Sequence, residues 1–413
     1  MKKVTDILHS QKNSSQLLLG ALTALLFSAF IYLSNVGIEI KLLNTLTAVA
    51  GFWLLLHIPK KAVLAAGFLI GILWFYWISY SFKYTGNGAI APLIVLGFGI
   101  IYMLFFGLLA LSDKPYIRAF LLFALSFVAP MDFNWMQLSL PFVESYIGIY
   151  KWQLALVLAA LSLDGLIKEK RFKPLPLLLL LGALNFTGYP PREDAPLKIK
   201  LVQTDVKQDE KWTKAALRPT VLMIYNEIEN AAKEGYDLVV LPESVVPLFL
   251  NKTPQLVEQL QYLATDIDVV LGALLYANGK NYNVAYHFDR NGNYEIAKKV
   301  VLVPFGEYIP LPNFMQKWVN DTFFGGGSDF VTAEKPTDFT IRGVKFRMAI
   351  CYEATTDRLY AGNPKYMIAI SNNAWFAPSI EPTLQNLLLR YYARKYGTTI
   401  YHSANYRGTG VNK

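Results

Sequence analysis

The sequence is short of cysteine, histidine and charged residues. Its one cysteine, Cys351, excludes an intrachain disulfide and any zinc site built from several cysteines. Its four histidines are scattered without metal-ligand spacing, so we expect neither a metal nor another cofactor. Charged residues make up 17% of the chain, whereas soluble globular proteins carry about a quarter. This shortage predicts that part of the chain is embedded in a membrane.

Apolar residues make up 54% of the chain and are concentrated in its first half. We therefore predict a transmembrane domain over residues 1–190 and a water-exposed domain over residues 191–413. A spanning helix needs about 20 mostly apolar residues, and about seven stretches qualify. These stretches are 15–34, 41–58, 62–81, 89–111, 116–132, 150–167 and 174–190. The amphipathic stretch 132–149 is predicted to lie at the membrane interface or to re-enter the membrane, not to span it.

Basic residues collect in alternate loops of this first half. The richer set contains Lys2, Lys3, Lys12, Lys60, Lys61, Lys114, Arg118, Lys168, Lys170, Arg171 and Lys173, and the poorer set contains Lys41, Lys83 and Lys151. Because cytoplasmic loops carry the basic excess, this asymmetry places the N-terminus in the cytoplasm. An odd number of crossings then places residues 191–413 outside the cytoplasm, in a periplasm-like space, and an even number would reverse this.

The net charge and the aromatic residues also bear on the membrane. The formal net charge of +9 suits an anionic membrane surface, and no basic tract with interleaved aromatic residues predicts nucleic-acid binding. The run Trp74-Phe75-Tyr76-Trp77 is typical of an interfacial aromatic belt, with the lining of a lipid entry groove as the alternative. No charged residue falls in the middle of the first five stretches, which argues against a proton relay or ion pathway.

The second half alternates short apolar strands with amphipathic helices. The predicted strands are 198–202, 237–241, 267–275, 282–288, 294–303, 345–350, 366–371 and 398–404, and the predicted helices are 218–234, 254–265 and 381–396. The sequence Asn291-Gly292-Asn293 is a hairpin-turn signal between two of the strands. This pattern predicts an α/β or α+β sandwich.

Three reactive side chains stand beside apolar strands of this half. They are Glu243, Lys299 and Cys351. A thiol needs a base to become a nucleophile, and Glu243 could accept its proton. Lys299 could stabilise both the thiolate and the oxyanion of a tetrahedral intermediate. From residue types alone, the alternatives remain that Cys351 is a core residue, that Glu243 caps a turn and that Lys299 is a solvated surface charge.

Four motifs of the second half resemble those of the nitrilase, or carbon–nitrogen hydrolase, superfamily. They are Leu241–Ser244, Lys299–Pro310, Cys351–Glu353 and Asn372–Phe376. With a polytopic domain in front, the chain resembles its membrane branch, the apolipoprotein N-acyltransferases. The resemblance implies a helical membrane domain joined to a nitrilase-like αββα sandwich. It also implies a triad in which Glu243 is the general base, Lys299 the oxyanion partner and Cys351 the nucleophile.

The resemblance extends to supporting residues of the expected site. It implies that Glu307 and Glu353 are further acidic residues of the site, and that Trp212 and Tyr352 shape the substrate groove. The plainer alternatives are a packing residue for Trp212 and a turn carboxylate for Glu353. The chain departs from the family pattern at Ala297 and Asn373, where Tyr and Asp are usual. It also ends at Lys413, where the resemblance implies further strands and a last spanning helix.

The activity implied by this resemblance is a two-step acyl transfer through a thioester. The thiolate would take an acyl chain from a membrane phospholipid. The N-terminal amine of a diacylglyceryl-cysteine apolipoprotein would then accept that chain. The implied partners are therefore a phospholipid donor and an apolipoprotein acceptor, with a monomer favoured. Two alternatives stay open from the sequence: a membrane-tethered amidase that uses water as acceptor, and a membrane scaffold in which the triad is vestigial.

Overall fold

The chain divides into two compact units that meet at the Tyr189–Pro190 bond. The structure is a computed structural model, and it describes residues 13–84, 86–130, 133–186, 188–304, 307 and 330–413. The first unit is helical, and the second contains all the strands of the described residues that belong to sheets.

The helices of the first unit differ in length. They are α1 (Asn13–Asn35), α2 (Lys41–His57), α3 (Lys60–Phe75), α4 (Ile78–Ser81), α5 (Ala91–Gly107), α6 (Pro115–Leu125), α7 (Lys151–Ser162) and α8 (Leu179–Ala183). Single 3-10 turns cover Gly88–Ile90, Leu108–Leu111, Leu140–Phe142, Leu163–Leu166, Lys170–Phe172 and Leu175–Leu178. Within the described residues, two continuous helical stretches, Asn13–Asn35 and Gly88–Leu111, are long and apolar enough to cross a membrane. The number of spanning helices stays a prediction.

Glycines allow the helices of this unit to pack closely. A Cβ on Gly67 would lie 2.7 Å from the Tyr102 carbonyl oxygen, and one on Gly71 would lie 2.4 Å from that of Phe98. Helices α3 and α5 therefore approach each other through small residues, as is common in membrane proteins.

The structure agrees with the prediction for the stretch 132–149 and disagrees with that for the aromatic run 74–77. The stretch 132–149 forms no long helix in its described part, in agreement with a segment that does not span. The aromatic-belt interpretation is wrong for three of its four residues, because Trp74, Phe75 and Trp77 are buried within the unit. Trp74 Nε1 donates a hydrogen bond to Ser28 Oγ at 3.1 Å, so this indole serves internal packing.

In its described residues, the second unit is a sandwich of two five-stranded sheets. The first sheet contains β1 (Ile199–Leu201), β2 (Leu238–Val240), β3 (Asp268–Ala277), β4 (Lys280–Phe288) and β5 (Tyr294–Lys298), in that order. The second contains β6 (Asp338–Ile341), β7 (Val344–Ile350), β8 (Tyr366–Asn372), β9 (Thr399–Asn405) and β10 (Gly410–Asn412), in the order β10-β9-β8-β7-β6. Strands β1–β3 run parallel to one another, as do β7–β9.

The helices of this unit are α9 (Gln208–Lys211), α10 (Lys214–Lys233), α11 (Pro254–Leu263) and α12 (Glu381–Tyr396). Helices α10 and α11 cover the outer face of the first sheet, and α12 lies against the second. Side chains alternate across β2, so Leu238 and Val240 face the second sheet while Val239 joins a core shared with α10 and α11. Helix α12 packs against β9 and β10. This αββα order is the sandwich that the resemblance implied.

The parallel strands position the site. Residues that follow the carboxyl ends of neighbouring parallel strands lie at one edge of a sheet. Glu243 comes shortly after β2, Cys351 comes directly after β7, and Asn372 ends β8. The two sheets are joined at this edge, since Thr204 Oγ1 donates to Asn405 Oδ1 at 2.8 Å. Side chains from both sheets are thereby brought to one place.

Candidate active site

Glu243 is held in a tight turn just beyond β2. Its carboxylate is buried, and each oxygen has a donor: Asn283 Nδ2 lies 2.7 Å from Oε1, and the Asn372 backbone N–H lies 2.9 Å from Oε2. The next residue, Ser244, has a φ of 47°, and the turn lies directly against Gly272. A Cβ on Gly272 would lie 2.4 Å from the Ser244 nitrogen and 2.6 Å from Glu243 Cα. The fold therefore fixes this carboxylate by backbone packing as well as by hydrogen bonds.

Lys299 follows β5 and is buried among carboxylates. Its Nζ lies 2.7 Å from Glu307 Oε2, 2.8 Å from Glu307 Oε1 and 3.8 Å from Glu243 Oε1. Burial by itself would lower the pKa of the Lys299 ammonium, but Glu307, Glu243 and Cys351 outweigh burial and raise it above the ordinary value. Lys299 therefore remains a fixed positive charge. The alternative of a solvated surface lysine is wrong, because its side chain is 1% exposed.

Cys351 begins a 3-10 turn, Cys351–Thr355, at the end of β7. Its φ of 57° is in the left-handed region, which is unusual for a residue other than glycine and costs about 1–3 kcal/mol. The thiol is partly buried. Burial, followed by the charge of Glu243, raises its pKa well above the ordinary value, and Lys299 opposes this shift. Cys351 is thus a protonated thiol within electrostatic reach of both Glu243 and Lys299.

Glu353 connects the turn of Cys351 to the segment of Lys299. Its Oε2 accepts hydrogen bonds from the N–H groups of Val300 at 2.7 Å and Val301 at 3.1 Å, and its Oε1 accepts one from the Ile350 N–H at 2.8 Å. Burial raises the pKa of this carboxyl to about 7, against the lowering effects of Lys299 and of the three N–H groups. Glu353 is therefore a turn carboxylate, as the plainer alternative held, and it also braces the site.

Glu307 is the immediate partner of Lys299. Besides the ammonium, its carboxylate accepts hydrogen bonds from Asn283 Nδ2 at 3.3 Å and from the Val303 N–H at 2.9 Å. The amide of Asn283 thus bridges Glu243 and Glu307. Much of the surrounding motif, namely 305–306 and 308–310, lies outside the described residues.

The two aromatic candidates occupy different environments. Tyr352 is 3% exposed, whereas Trp212 is 47% exposed and stands at the end of α9. Trp212 is therefore not a fully buried core residue. A role for either residue in shaping a substrate groove stays a prediction.

Sequence analysis missed two residues that contact Glu243. Asn283 lies in the buried part of β4, and its side chain hydrogen-bonds Glu243 and Glu307. Lys211 is buried, and its Nζ donates to the Glu243 carbonyl oxygen at 3.1 Å. Burial lowers the pKa of Lys211 to about 8, although Glu243 opposes the shift. Asn283 could have been found from the sequence, because asparagine is rare in strands and stands here within an apolar one. No feature of the sequence indicated that Lys211 is buried.

A buried carboxylate, a paired ammonium and a protonated thiol suit nucleophilic acyl chemistry. The carboxylate can take the thiol proton, and the ammonium can stabilise negative charge on sulfur and on a tetrahedral intermediate. Among the described residues, no group of three or more His, Cys, Asp or Glu side chains could hold a metal ion.

Two family models match the two halves of the chain. The model described as "Apolipoprotein N-acyltransferase integral membrane domain" matches residues 14–186, and that described as "Carbon-nitrogen hydrolase" matches residues 198–401. The fold and these matches define a membrane-bound enzyme of the carbon–nitrogen hydrolase class. An apolipoprotein N-acyltransferase from Wolinella succinogenes is 42% identical over 389 residues, which cover 94% of each chain. The chain belongs to the apolipoprotein N-acyltransferase family.

A second relative has the same name, and parts of the chain are distantly similar to two solved structures. The apolipoprotein N-acyltransferase of Helicobacter pylori is 37% identical over 88% of this chain and 86% of its own. The carbon–nitrogen hydrolase superfamily protein XC1258 of Xanthomonas campestris is 15% identical, with a TM-score of 0.38, over 51% of this chain and 76% of its own. An amidase from Nesterenkonia sp. has the same identity and TM-score, over 51% of this chain and 78% of its own.

Proposed function

We propose that this bacterial membrane protein transfers an acyl chain from a membrane phospholipid to the N-terminal amine of a diacylglyceryl-cysteine apolipoprotein. The observation that carries the proposal is the buried arrangement of Glu243 and Lys299, 3.8 Å apart, both of which act electrostatically on Cys351. The family assignment supplies the substrate class. The amidase alternative is not favoured, because the family match includes the integral membrane domain.

The first half-reaction forms a thioester. The Cys351 thiol passes its proton to Glu243, and the thiolate sulfur attacks the carbonyl carbon of a phospholipid ester. Lys299 stabilises the oxyanion of the tetrahedral intermediate. The carbon–oxygen ester bond then breaks, and the leaving alkoxide takes the proton from Glu243 and departs as lysophospholipid. The acyl chain remains on the sulfur.

The second half-reaction moves the acyl chain to nitrogen. The neutral α-amine of the acceptor attacks the thioester carbon, and Lys299 again faces the oxyanion. Glu243 takes a proton from the attacking nitrogen as the new carbon–nitrogen bond forms. The carbon–sulfur bond breaks, the proton returns to sulfur, and the product is an N-acylated lipoprotein. Carbon–nitrogen bond formation therefore uses the same three groups as thioester formation.

The described surroundings favour transfer over hydrolysis. A thioester survives only where water is kept away from it. Lys299 is 1% exposed and Glu243 is 7% exposed, so both auxiliary groups are shielded. An integral membrane domain in the same chain keeps this chemistry in the compartment of its two lipid substrates. We further propose a multi-pass inner-membrane protein with a cytoplasmic N-terminus and a periplasmic catalytic domain, acting as a monomer.

The experiment that tests this function has two arms. Cells that lack the protein, and any second copy of the enzyme, should accumulate lipoproteins whose N-terminal amine is free, as read by mass spectrometry. The purified protein mixed with phospholipid should gain the mass of one acyl chain on Cys351, and Cys351→Ser should gain none by thioester formation. Fully acylated lipoproteins in the deficient cells would overturn the proposal.

A further inference from the structure

Glu381 is a buried carboxyl group that the proposed mechanism does not use. It begins helix α12 and is 1% exposed. Its Oε2 is buried without a hydrogen-bond partner. Within the described residues, no lysine or arginine forms an ion pair with it. Because a buried negative charge with an unpartnered oxygen and no neighbouring cation is strongly unfavourable, this group is expected to carry a proton.

The packing of α12 places Glu381 beside the site. Gln385, one turn further along the helix, accepts a hydrogen bond from Asn373 Nδ2 at 2.9 Å and donates one to Ser371 Oγ at 3.3 Å. Residues four apart lie on the same face of a helix, so Glu381 shares that face. Between Ser371 and Asn373 stands Asn372, whose N–H holds the Glu243 carboxylate. Helix α12 also packs against the turn Cys351–Thr355.

We propose that Glu381 is a positioning residue, a buried carboxylic acid that is protonated in the resting enzyme and opposes formation of the Cys351 thiolate once it ionises. The inference rests on the proposed roles of Cys351 and Glu243. Electrostatics agree with the placement. Burial, followed by the charge of Glu243, raises the pKa of Glu381 well above the ordinary value, and Glu381 in turn helps to raise the pKa of Cys351.

The elements packed against Glu381 contribute few other titratable groups. The turn Cys351–Thr355 contributes Cys351, Tyr352 and Glu353. Strand β9 contributes His402, since Tyr401 faces the core between the sheets, and the 3-10 turn Asn373–Phe376 and β10 contribute none. Burial lowers the pKa of His402 to about 4, against the hydrogen bond to the Gly408 carbonyl, so this ring is neutral at neutral pH. Across the site stand Glu243, Glu307 and Lys299, all assigned above.

The consequence is a coupling between the two groups. A negative charge on Glu381 raises the pKa of the Cys351 thiol, so the thiolate is harder to form once Glu381 has lost its proton. Glu381 therefore limits reaction of the resting thiol with adventitious electrophiles at alkaline pH.

The test uses Cys351 as its own reporter, since it is the only cysteine in the chain. The full-length protein in detergent micelles is alkylated with iodoacetamide between pH 6 and pH 10, and the modified fraction is read by intact-mass spectrometry. Glu381→Gln keeps the shape of the side chain and removes its charge. We expect the alkylation midpoint to move to lower pH by about one unit, so that alkylation at pH 8 becomes about tenfold faster.

The control and a second variant keep this test decisive. Glu258→Gln makes the same chemical change at an exposed position of α11 and should leave the profile of the wild-type protein unchanged. If thermal unfolding shows that Glu381→Gln is misfolded, Glu381→Ala replaces it. If neither variant folds, the wild-type profile decides: the proposal requires alkylation to rise over a wider pH range than one ionisation gives.

A profile in the folded variant that superimposes on that of the wild-type protein overturns the proposal, as does a single-ionisation wild-type curve with an ordinary thiol midpoint. Alkylation needs no lipid, so this result is independent of acyl transfer. Failure to form an acyl thioester would count against the proposed function. The role of Glu381 would still be decided by the alkylation profile.

Discussion

Lys299 Nζ lies 2.7 Å from Glu307 Oε2, and both side chains are largely buried. The ion pair with Glu307 holds the Lys299 ammonium near Glu243 but out of hydrogen-bond distance, because Lys299 Nζ lies 3.8 Å from Glu243 Oε1. Glu243, the proposed general base, is therefore not tied up in a close ion pair, while the positive charge of Lys299 still acts on the Cys351 sulfur. Several predictions about the site depend on this arrangement.

Replacing Glu307 by Gln should disturb this division. Gln retains an oxygen that can accept hydrogen bonds but loses the charge that holds Lys299. The ammonium would then move toward Glu243 and compete for the proton-accepting carboxylate. We expect the rate of thioester formation with phospholipid, measured by intact mass, to fall about 10–100-fold. Glu229→Gln on the exposed face of α10 is the control, and equal rates for the two variants would contradict this role of Glu307.

Lys298 and Lys299 provide a matched pair of substitutions. Lys299→Met leaves Glu243 and Glu307 buried without their cation, which costs about 3–5 kcal/mol of stability and removes the stabilisation of the oxyanion. We expect no measurable thioester in this variant. Lys298 instead lies over the Tyr282 ring at 4.2 Å, and Lys298→Met should retain activity within about twofold. An inactive Lys298→Met with an active Lys299→Met would reverse the assignment of the two lysines.

Gly272 should be intolerant of even one added carbon. The Cβ in Gly272→Ala would lie 2.4 Å from the Ser244 nitrogen, so the turn that carries Glu243 must shift. We expect thioester formation to fall at least about tenfold, because small displacements of a catalytic group are costly. Gly410→Ala is the control, since a Cβ at Gly410 has no atom within 4 Å. A fully active Gly272→Ala would show that the turn can relax without moving its carboxylate.

His287 should make the stability of the second unit depend on pH. Its Nε2 lies 3.0 Å from Asp268 Oδ1 and its Nδ1 lies 2.9 Å from Glu295 Oε1. Burial opposes the charged ring, but the two carboxylates outweigh burial and raise the pKa of His287 above its ordinary value of 6.5. A raised pKa in the folded state stabilises the protein below pH 6.5, and this contribution is lost as the pH rises through the folded value.

The measurement for His287 compares thermal unfolding of the wild-type protein and of His287→Asn across pH 5 to pH 9. The difference in melting temperature between the two proteins should be largest at the acidic end and should shrink as the pH rises. Asn cannot titrate, so it supplies the flat reference. A difference that grows toward alkaline pH would show that the ring is neutral when buried.

Much of the sandwich could be predicted because its strands are short apolar runs. The predicted strand 366–371 is observed as Tyr366–Asn372, and the predicted helix 381–396 is observed as Glu381–Tyr396. Strands β6 and β10 were missed, since each is an edge strand of at most four residues without a buried apolar run. The hairpin at Asn291–Asn293 was predicted from turn chemistry, and Gly292 has the required positive φ of 78°.

The site residues that belong to a sequence motif could be predicted. The residues whose role depends on being buried could not. Glu243 and Lys299 lie together, as expected from their positions beside strands. Nothing local distinguishes Lys211 from the solvated lysines around it, because only the packed fold takes its ammonium out of water. The same holds for Glu381, whose burial arises from contacts of α12 with segments distant in the sequence. The residue type determines which chemical groups a side chain carries, whereas its burial and its charged neighbours depend on contacts between distant parts of the chain.

The three N–H groups that converge on Glu353 have a mechanical consequence. One carboxyl fastens the segment after Lys299 to the strand end before Cys351, so neither can swing aside without breaking hydrogen bonds held in a water-poor setting. Room for a bulky lipid beside Cys351 therefore cannot come from separating these two segments. A long hydrocarbon tail would have to be admitted by movement of other parts of the chain. The backbone segments that carry Lys299 and Cys351 would then move together as one rigid body.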